Sequence, residues 1–413
     1  MAAVIHVVSK RDNTRHEVCR LDEGQASAGK LAESSIRVRT GLMALTSNNL
    51  SYARAGAFLH WWDTYPVPDS APAPYNDNGE WGIVPAWGYG RVVDSTIDSI
   101  EAGSLLWGFW PASSHAVDLQ LRPSQPSGHW VETSPHRSQL MTLYNRYEQV
   151  EPGDDLAMKM AALCKPLWTG PYLLNRTVFS KPGVHPLGVE APWSEEDADL
   201  SSAVVINASA SSKTGRSFSW ALARDRDAAA GGPLALLQLT SAPQVLPRFS
   251  DCAFPIKSGR YGDPGAMEWV AGFKPARVVI VDFGAADPVI ESLASDAGKI
   301  AASVTVIAVG HEAKVYSDEE IQAHAVLHKT LGKVQLNASG LRDRAMETLG
   351  PEKFFRSLDE DWVRCYEEEG LGRLELRELS GVEGDQGVKG AWDDLCSGNV
   401  PPNVGIVGYI SLE

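Results

Sequence analysis

Hydrophobic residues in the second half of the chain gather in short apolar runs, separated by segments long enough to form helices. The runs are residues 203–206, 234–239, 278–283 and 304–309. Such continuous apolar runs are typical of parallel strands covered by helices on both faces. Helical periodicity recurs between them, at residues 216–223 and 288–297. The alternation predicts an α/β domain with a doubly wound, Rossmann-like parallel sheet.

The first part of the chain has a different pattern. Eight of the thirteen tryptophans precede residue 170, and short strand-like segments are separated there by glycine and proline. Such segments predict a small β barrel or sandwich. A chain of 413 residues is also long enough for two hydrophobic cores. We therefore expect a β-rich substrate domain at residues 1–165 and 350–413, and a Rossmann-like domain at residues 166–349.

Composition narrows the class of partners. There are 37 basic and 52 acidic residues, a net charge of −15, and no basic cluster that would bind nucleic acid. The sequence has no run of 18 apolar residues, so it predicts no membrane helix. The five scattered cysteines fit neither a disulfide framework nor a CxxC metal site. We expect a cytoplasmic protein that binds a small molecule, without nucleic acid or membrane as a partner.

The most specific local pattern follows the first apolar run of the second domain. Small residues lead from that strand into Lys213, Thr214, Gly215 and a helix. Small side chains let backbone N–H groups approach a phosphate, and a helix N-terminus adds positive potential. We predict that Ser211, Ser212, Lys213, Thr214 and Gly215 bind a cofactor. A serine-rich turn that merely caps the helix is the alternative interpretation.

The glycine pattern of this loop matches neither standard nucleotide motif. Asn207 and Ser212 stand where a Walker loop has glycine, and only Gly215 remains of a G-x-G-x-x-G dinucleotide motif. A kinase of the Walker type is therefore a weak alternative.

The end of the next strand favours NADP over NAD. Thr240 and Ser241 stand there, whereas an NAD site would have an acid for the ribose hydroxyls. Arg248 or Lys257 would help to neutralise a 2′-phosphate. After the fourth strand, Gly310 and His311 are predicted to contribute to the nicotinamide side of the same site, with the capping of a helix as the alternative role of His311.

The order of the parts resembles the medium-chain dehydrogenase/reductase superfamily, and more closely a divergent branch of it that is described only as a domain of unknown function. The resemblance covers nearly the whole chain. It rests on residues 45–52, 61–66, 81–90, 106–111, 136–145 and 165–168 and on the Ser-Ser-Lys-Thr loop.

The resemblance implies a GroES-like fold for the β-rich domain and a zinc-free activity. Zinc-dependent members carry G-H-E where this chain has Trp87-Gly-Tyr-Gly-Arg91, and the structural zinc lobe is missing. The zinc-free members are enoyl and quinone reductases. They imply an NADP(H)-dependent reductase of an enone, enoyl thioester or quinone-like substrate, and an arrangement as a homodimer through the edge of the Rossmann-like sheet.

The substrate is expected between the aromatic domain and the loop crevice, beside a hydroxyl that protonates the product. The predicted catalytic residues are Tyr52 and Tyr65, and core packing with a bonded hydroxyl is the alternative role for each. The predicted substrate-binding residues are Asn49, Trp62, His136 and Trp168. Residues 136–145 are predicted to form a helix that presents His136 and Arg137 on the same face as Tyr144 and Asn145.

Two interpretations remain open beside the reductase. His324 and His328 have the i, i+4 spacing of a metal pair, but without an acidic partner at useful spacing they are interpreted as a helix surface. The missing glycines and the many tryptophans also suit a non-redox lyase, hydrolase or cyclase, or a ligand-binding module for a large apolar substrate.

Overall fold

The computed structural model describes residues 3–21, 29–227 and 231–411, and it divides the chain into two compact units. The β-rich unit contains residues up to 166, residues 313–315 and residues from 375 onwards. The Rossmann unit contains residues 167–312 and 316–374. Residues 350–374, expected in the β-rich domain, therefore belong to the Rossmann unit. The reason is aromatic packing: the Trp362 ring lies 5.8 Å from the Trp168 ring inside that unit.

The elements follow in chain order. The strands are β1 (Ala3–Ser9), β2 (His16–Leu21), β3 (Ser35–Leu45), β4 (Trp81–Gly82), β5 (Pro85–Ser95), β6 (Leu105–Pro111), β7 (Ala116–Ser124), β8 (His129–Glu132), β9 (Arg146–Val150), β10 (Ala203–Ala208), β11 (Ala235–Leu239), β12 (Ile256–Gly259), β13 (Arg277–Phe283), β14 (Ser303–Gly310), β15 (Val334–Gln335), β16 (Glu375–Ser380) and β17 (Val404–Tyr409). The helices are α1 (Ser47–Arg54), α2 (Asp155–Leu173), α3 (Glu195–Ala198), α4 (Lys213–Asp225), α5 (Pro264–Gly272), α6 (Asp287–Ile300), α7 (Asp318–Thr330), α8 (Ala338–Leu349), α9 (Pro351–Glu367) and α10 (Val388–Cys396).

The β-rich unit is built around a closed antiparallel barrel. Its strand order is β3-β5-β6-β9-β8-β7, and β7 pairs back with β3. Strand β17 extends this sheet from β3, and β16 pairs with β17 in parallel. A separate sheet has the order β2-β1-β4. Closure leaves no free edge among the six barrel strands, so backbone groups are satisfied around the ring. The predicted β-rich domain is thus confirmed as a barrel.

The Rossmann unit has six parallel strands in the order β12-β11-β10-β13-β14-β15. The sheet starts in the middle with β10, extends to one edge with β11 and β12, and then extends to the other edge with β13, β14 and β15. Between β10 and β13 the direction of winding reverses, which creates the crevice where such sheets bind ligands. The predicted doubly wound α/β fold is confirmed.

The two faces of this sheet bury different side chains because neighbouring strand residues point in opposite directions. Ile206 and Leu237 pack with Val270 of α5 and Ile290 of α6. On the opposite face the Asn207 amide donates to Ser219 of α4. Helix α4 begins directly after β10, so its N-terminus lies at the crevice.

The predicted helix over residues 136–145 is wrong. Two short 3₁₀ turns stand there instead, Pro135–Arg137 and Thr142–Asn145. Arg137 turns inward, where its Nε donates to the Thr64 carbonyl at 3.0 Å and its Nη1 to the Tyr147 hydroxyl at 2.8 Å. These buried bonds fix the chain in a bend that a continuous helix would not permit.

Within residues 3–21, 29–227 and 231–411, none of the helices is long and apolar enough to cross a membrane.

Candidate functional site

The loop between β10 and α4 has the tight geometry of an anion-binding turn. Ser209 adopts a left-handed conformation with φ of 65°, which is uncommon for a residue with a side chain. A Cβ on Gly215 would lie 2.7 Å from the Ser209 carbonyl oxygen and 3.0 Å from the Cα of Ala210, so only glycine fits. The Ser212 hydroxyl caps α4 by accepting from the Gly215 N–H at 3.0 Å. The amide of Asn207 donates to the Gly215 carbonyl at 2.7 Å and ties the strand to the helix.

The ends of the neighbouring strands meet at this loop. The Ser211 hydroxyl lies 2.5 Å from the Thr240 hydroxyl at the end of β11. The Tyr261 hydroxyl, which follows β12, accepts a hydrogen bond from the Ser209 N–H at 2.7 Å. Burial raises the pKa of Tyr261 to about 12, so it stays protonated. The loop and the Thr240 hydroxyl are therefore brought together as predicted from the sequence.

The cation beside Ser241 was not predicted. Arg260 Nη1 donates to the Ser241 carbonyl at 2.6 Å. Lys257, the predicted cation, instead donates to the Gly265 carbonyl at 2.8 Å, and Arg248 is exposed. Arg260 and Tyr261 follow β12, which pairs with β11, and adjacency of these strand ends was the signal that would have identified them.

These residues fit a dinucleotide with a phosphate on its adenosine ribose. The N–H groups of the loop and the N-terminus of α4 suit a pyrophosphate, and Gly215 lets the loop backbone pack closely against the start of α4. No acid stands at the end of β11, where Thr240, Ser241 and Arg260 offer two hydroxyls and a cation. Lys213 and Thr214 open α4 at the same edge.

The other half of the crevice carries a charged network. At the end of β13, Asp282 accepts from the N–H groups of Gly284 and Ala285 at 3.0 and 2.9 Å and lies 3.2 Å from the Lys333 ammonium. A Cβ on Gly284, whose φ is 107°, would overlap the carbonyl of His311, so Gly284 and His311 are held in backbone contact. Gly310 likewise allows β14 to lie against Phe283.

His324 has an acidic partner, Asp287, that the sequence around His324 did not indicate. Its Nδ1 donates to Asp287 Oδ1 at 2.8 Å, and its ring lies 5.4 Å from the ring of His311. The interpretation of His324 as a plain helix surface is corrected here, because Asp287, 37 residues away at the start of α6, reaches it. Among the residues that the structure describes, no group of three His, Cys, Asp or Glu side chains is placed to hold a metal ion.

The two predicted catalytic tyrosines are buried in the β-rich unit. The Tyr52 hydroxyl accepts from Trp87 Nε1 at 3.0 Å and Asn48 Nδ2 at 2.7 Å, and burial raises its pKa to about 12. The Tyr65 hydroxyl donates to the Phe109 carbonyl at 2.7 Å, and burial raises its pKa well above its usual value. Both hydroxyls are enclosed and bonded, so this geometry does not support proton donation by either.

Three of the predicted substrate-binding side chains have structural contacts. Asn49 caps α1 by accepting from the Thr46 N–H at 2.8 Å and donates to the Pro85 carbonyl at 3.0 Å. Trp62 is buried over Gly56 and Gly82. Trp168 is completely buried in the Rossmann unit, 5.1 Å from the Tyr172 ring. Its predicted contact with substrate is therefore not supported.

His136 alone of that set lies on an open cavity. The cavity measures about 520 Å³ within the β-rich unit and is also lined by Tyr65, His115 and Arg137. Burial is the first cause that lowers the pKa of His136. The structure thus places Tyr65 and His136 on one cavity, and Tyr52 in the aromatic cluster with Trp61, Phe109 and Tyr144.

Three solved structures of low sequence identity have a similar fold. CurA from Vibrio vulnificus, crystallised in complex with NADPH, is 9% identical over 100% of both chains, with a TM-score of 0.53. The JamJ enoyl reductase in its apo form is 12% identical over 99% of both chains, with a TM-score of 0.52. The CurF ER cyclopropanase of the curacin A biosynthetic pathway is 15% identical over 98% of this chain and 99% of its own, with a TM-score of 0.52. These similarities confirm the predicted fold, a Rossmann-like domain together with a β-rich domain.

Among curated protein sequences, none matches this chain. A family model does match it, over residues 43–401, which is most of its length. That family is described as "Protein of unknown function (DUF2855)", which confirms the resemblance to a family known only as a domain of unknown function. The chain belongs to the DUF2855 family.

Proposed function

We propose that this protein is an NADP(H)-dependent reductase that acts, without zinc, on an activated alkene or carbonyl such as an enone, enoyl thioester or quinone. The observation that carries the proposal is the composition of the adenosine half of the crevice. The loop requires glycine at position 215, and its Ser211 hydroxyl contacts the Thr240 hydroxyl at the end of β11. Arg260 binds the carbonyl of Ser241, and no acidic residue stands at the end of β11. Bound NADPH would supply a hydride.

The residues proposed to bind the cofactor and the substrate have separate roles. The N-terminus of α4 and the loop N–H groups would hold the pyrophosphate. The hydroxyls of Thr240 and Ser241 and the guanidinium of Arg260 would bind the 2′-phosphate, because a guanidinium matches phosphate geometry. Gly310 and His311 would border the nicotinamide. The residues proposed to orient the substrate are those of the β-rich unit that line open space, His136 foremost.

The test is a fluorescence titration with NADPH and NADH. We expect NADPH to bind at least about tenfold more tightly, since a charge-assisted contact contributes about 1.5 to 3 kcal/mol. Arg260→Glu is expected to remove this preference, whereas Arg356→Glu, which changes an exposed arginine in α9 of the same unit, is expected to leave it unchanged. Equal affinity for both cofactors would contradict the assignment of NADP.

The reaction is tested with three probes, cyclohexenone, crotonyl-coenzyme A and benzoquinone. We expect oxidation of NADPH with at least one of them. The same measurement after dialysis against a chelator is expected to give the same rate, which addresses the proposed independence from zinc.

A second function is favoured by one contact. The Tyr261 hydroxyl already accepts from the Ser209 N–H, a group that a bound phosphate would use. A loop N–H that is already bonded to a side chain of the protein suits a non-redox enzyme or a ligand-binding module on this fold. The similarity to a cyclopropanase lies in the fold alone. Absence of NADPH binding at millimolar concentration would favour this alternative.

A further inference from the structure

Five titratable or charged side chains gather at the carboxyl ends of β13 and β14. We call them the acid–base cluster: Asp282, Asp287, His311, His324 and Lys333. They come from the end of β13, the start of α6, the residue after β14, the middle of α7 and the turn before β15. They are distant in sequence, so only the fold brings them together.

The cluster is connected by short contacts. Lys333 Nζ lies 3.2 Å from Asp282 and 4.0 Å from Asp287. Asp287 in turn accepts from His324 Nδ1 at 2.8 Å, and the His324 and His311 rings are 5.4 Å apart. The Lys333 side chain is 1% exposed, whereas that of His324 is 21% exposed. The lysine end is therefore closed, and the histidine end has access to solvent.

The two ends have different roles. The Asp282–Lys333 pair is structural, because Asp282 also holds the N–H groups of Gly284 and Ala285 and a buried charge needs a partner. The Asp287–His324 pair has the arrangement of an acid–base dyad. A carboxylate that binds Nδ1–H fixes the tautomer and leaves Nε2 as the atom that exchanges a proton.

The position of the cluster in the sheet indicates which half of a dinucleotide it would adjoin. In a doubly wound sheet one half binds each mononucleotide of a dinucleotide. The loop, Thr240 and Arg260 occupy the half formed by β10 to β12, and the cluster occupies the half formed by β13 to β15. His311 follows β14 directly, at the edge of the sheet where ligands bind.

We propose that His311 is the catalytic acid of the reductase and that His324, oriented by Asp287, is the positioning residue that returns a proton to it. The inference rests on the proposed function. Reduction of an activated C=C bond forms two C–H bonds: the hydride goes to one carbon and leaves NADP⁺, and the His311 proton goes to the other and leaves neutral imidazole. His324 then reprotonates His311 and recovers its own proton from solvent.

Neighbouring groups define the surroundings of this pair. The Tyr316 ring lies 6.1 Å and the His328 ring 6.4 Å from His324. Burial, Lys333 and His324 lower the pKa of His328, in that order. His328 is one turn further along α7, so it supplies a matched control on the same helix.

The test compares His311→Asn, His324→Asn and His328→Asn in the full-length protein with NADPH and the probe that the wild type reduces. A general acid contributes about 10²- to 10⁴-fold. We expect kcat to fall at least about 100-fold in His311→Asn, about tenfold in His324→Asn and less than twofold in His328→Asn. The dissociation constant of NADPH, from fluorescence, is expected to stay within about threefold in all three.

Two further measurements separate proton donation from a structural role. Exogenous imidazole is expected to restore turnover in His311→Ala but not in Gly284→Ala, where the backbone contact is disturbed. In the wild type without substrate, NADPH is expected to protect His311 from diethyl pyrocarbonate, read by mass spectrometry.

The outcomes are distinguishable. If the wild type neither binds nor oxidises NADPH, the proposed function fails and this inference with it. If the wild type oxidises NADPH and His311→Asn retains its rate, or if His311 is modified equally with and without NADPH, only the inference is overturned. Loss of turnover without rescue by imidazole also overturns it, because His311 would then be structural.

Discussion

The two units bury polar chemistry in different ways. In the β-rich unit the deeply buried groups are mostly neutral: Tyr52 and Tyr65 hold bonded hydroxyls, and burial lowers the pKa of His6 to about 3 and of His115 to about 4. At the strand ends of the Rossmann unit, buried hydroxyls such as that of Thr240 are accompanied by a charged pair, Asp282 with Lys333. The β-rich unit also buries one charged pair, Arg137 with Glu132. Charged, oriented groups at an open edge are preorganised for a charged ligand.

For the proposed function, this difference favours the Rossmann unit as the source of the transferred proton. A neutral, enclosed hydroxyl does not release its proton without an opening of the structure, whereas a carboxylate–histidine pair near solvent exchanges protons readily. The aromatic cluster of the β-rich unit therefore supplies shape and stability. The strand ends of the Rossmann unit supply charge, which the proposed dinucleotide binding and product protonation would require.

The largest expected effect tests the role of Trp168. Because its ring is fully buried against Tyr172, Trp168→Ala is expected to lower the free energy of unfolding by about 3 to 5 kcal/mol. Denaturant unfolding measures this, and the dissociation constant of NADPH should stay within about threefold. If Trp168→Ala had unchanged stability and a raised KM, the result would support the predicted contact between Trp168 and the substrate.

The next effect concerns Gly215. A Cβ there would meet backbone atoms of Ser209 and Ala210, which have little room to move. Gly215→Ala is expected to destabilise by about 1 to 3 kcal/mol and to weaken NADPH binding at least about tenfold. Calorimetry and fluorescence titration check the two effects.

Gly298 is the control for Gly215. It lies exposed in α6 with open space around its Cβ position. Gly298→Ala is expected to stabilise the protein by about 0.5 to 1 kcal/mol through helix propensity, without an effect on NADPH. If both variants behave alike, the loop does not depend on a close approach at Gly215.

The pH dependence of stability tests the neutral burial in the β-rich unit. The pKa of His6 is about 3 in the folded protein, lowered mainly by burial and then by His16, against 6.5 for an ordinary histidine. The unfolded chain therefore binds more protons between these values, so stability falls as pH falls from about 6.5 towards 3. The slope for one such group is about 1.4 kcal/mol per pH unit.

His6→Asn removes that proton uptake. Between pH 7 and pH 5 we expect the variant to lose on the order of 2 kcal/mol less stability than the wild type. His115→Asn should change the slope in the same direction over a narrower range, because the pKa of His115 is about 4. If the free energy of unfolding had the same dependence on pH in the wild type and in His6→Asn, His6 would not be buried as a neutral group.

Sequence reasoning succeeded where the determinants are local. The strand Ala203–Ala208, the loop and helix α4 are consecutive, so the apolar run and the small residues predicted them together. The alternation of strands and helices likewise predicted the sheet, because each crossover has to return in parallel.

It failed where the answer depends on distant segments. Asp287 and His324 are separated by 37 residues, and neither has a sequence signal that names the other. Trp168 was predicted to contact substrate, but an aromatic residue on a helix has the same signal in a core as in a pocket. The bend at Arg137 arises from bonds to Thr64 and Tyr147, which local periodicity does not contain.

The smallest expected effect decides how the loop is used. The Tyr261 hydroxyl accepts from the Ser209 N–H at 2.7 Å, so Tyr261→Phe is expected to cost about 1 kcal/mol of stability. If a phosphate takes that N–H when NADPH binds, the hydroxyl competes with it, and the variant should bind NADPH up to about fivefold more tightly. Tyr172→Phe loses a comparable bond, from its hydroxyl to Ser357 at 3.1 Å in the same unit, and should leave NADPH binding unchanged. Weaker binding in Tyr261→Phe alone would mean that the hydroxyl contacts the cofactor rather than yielding to it. No binding in either variant or in the wild type would leave the Ser209 N–H as a permanent structural donor, and the non-redox interpretation would then be the better account of this crevice.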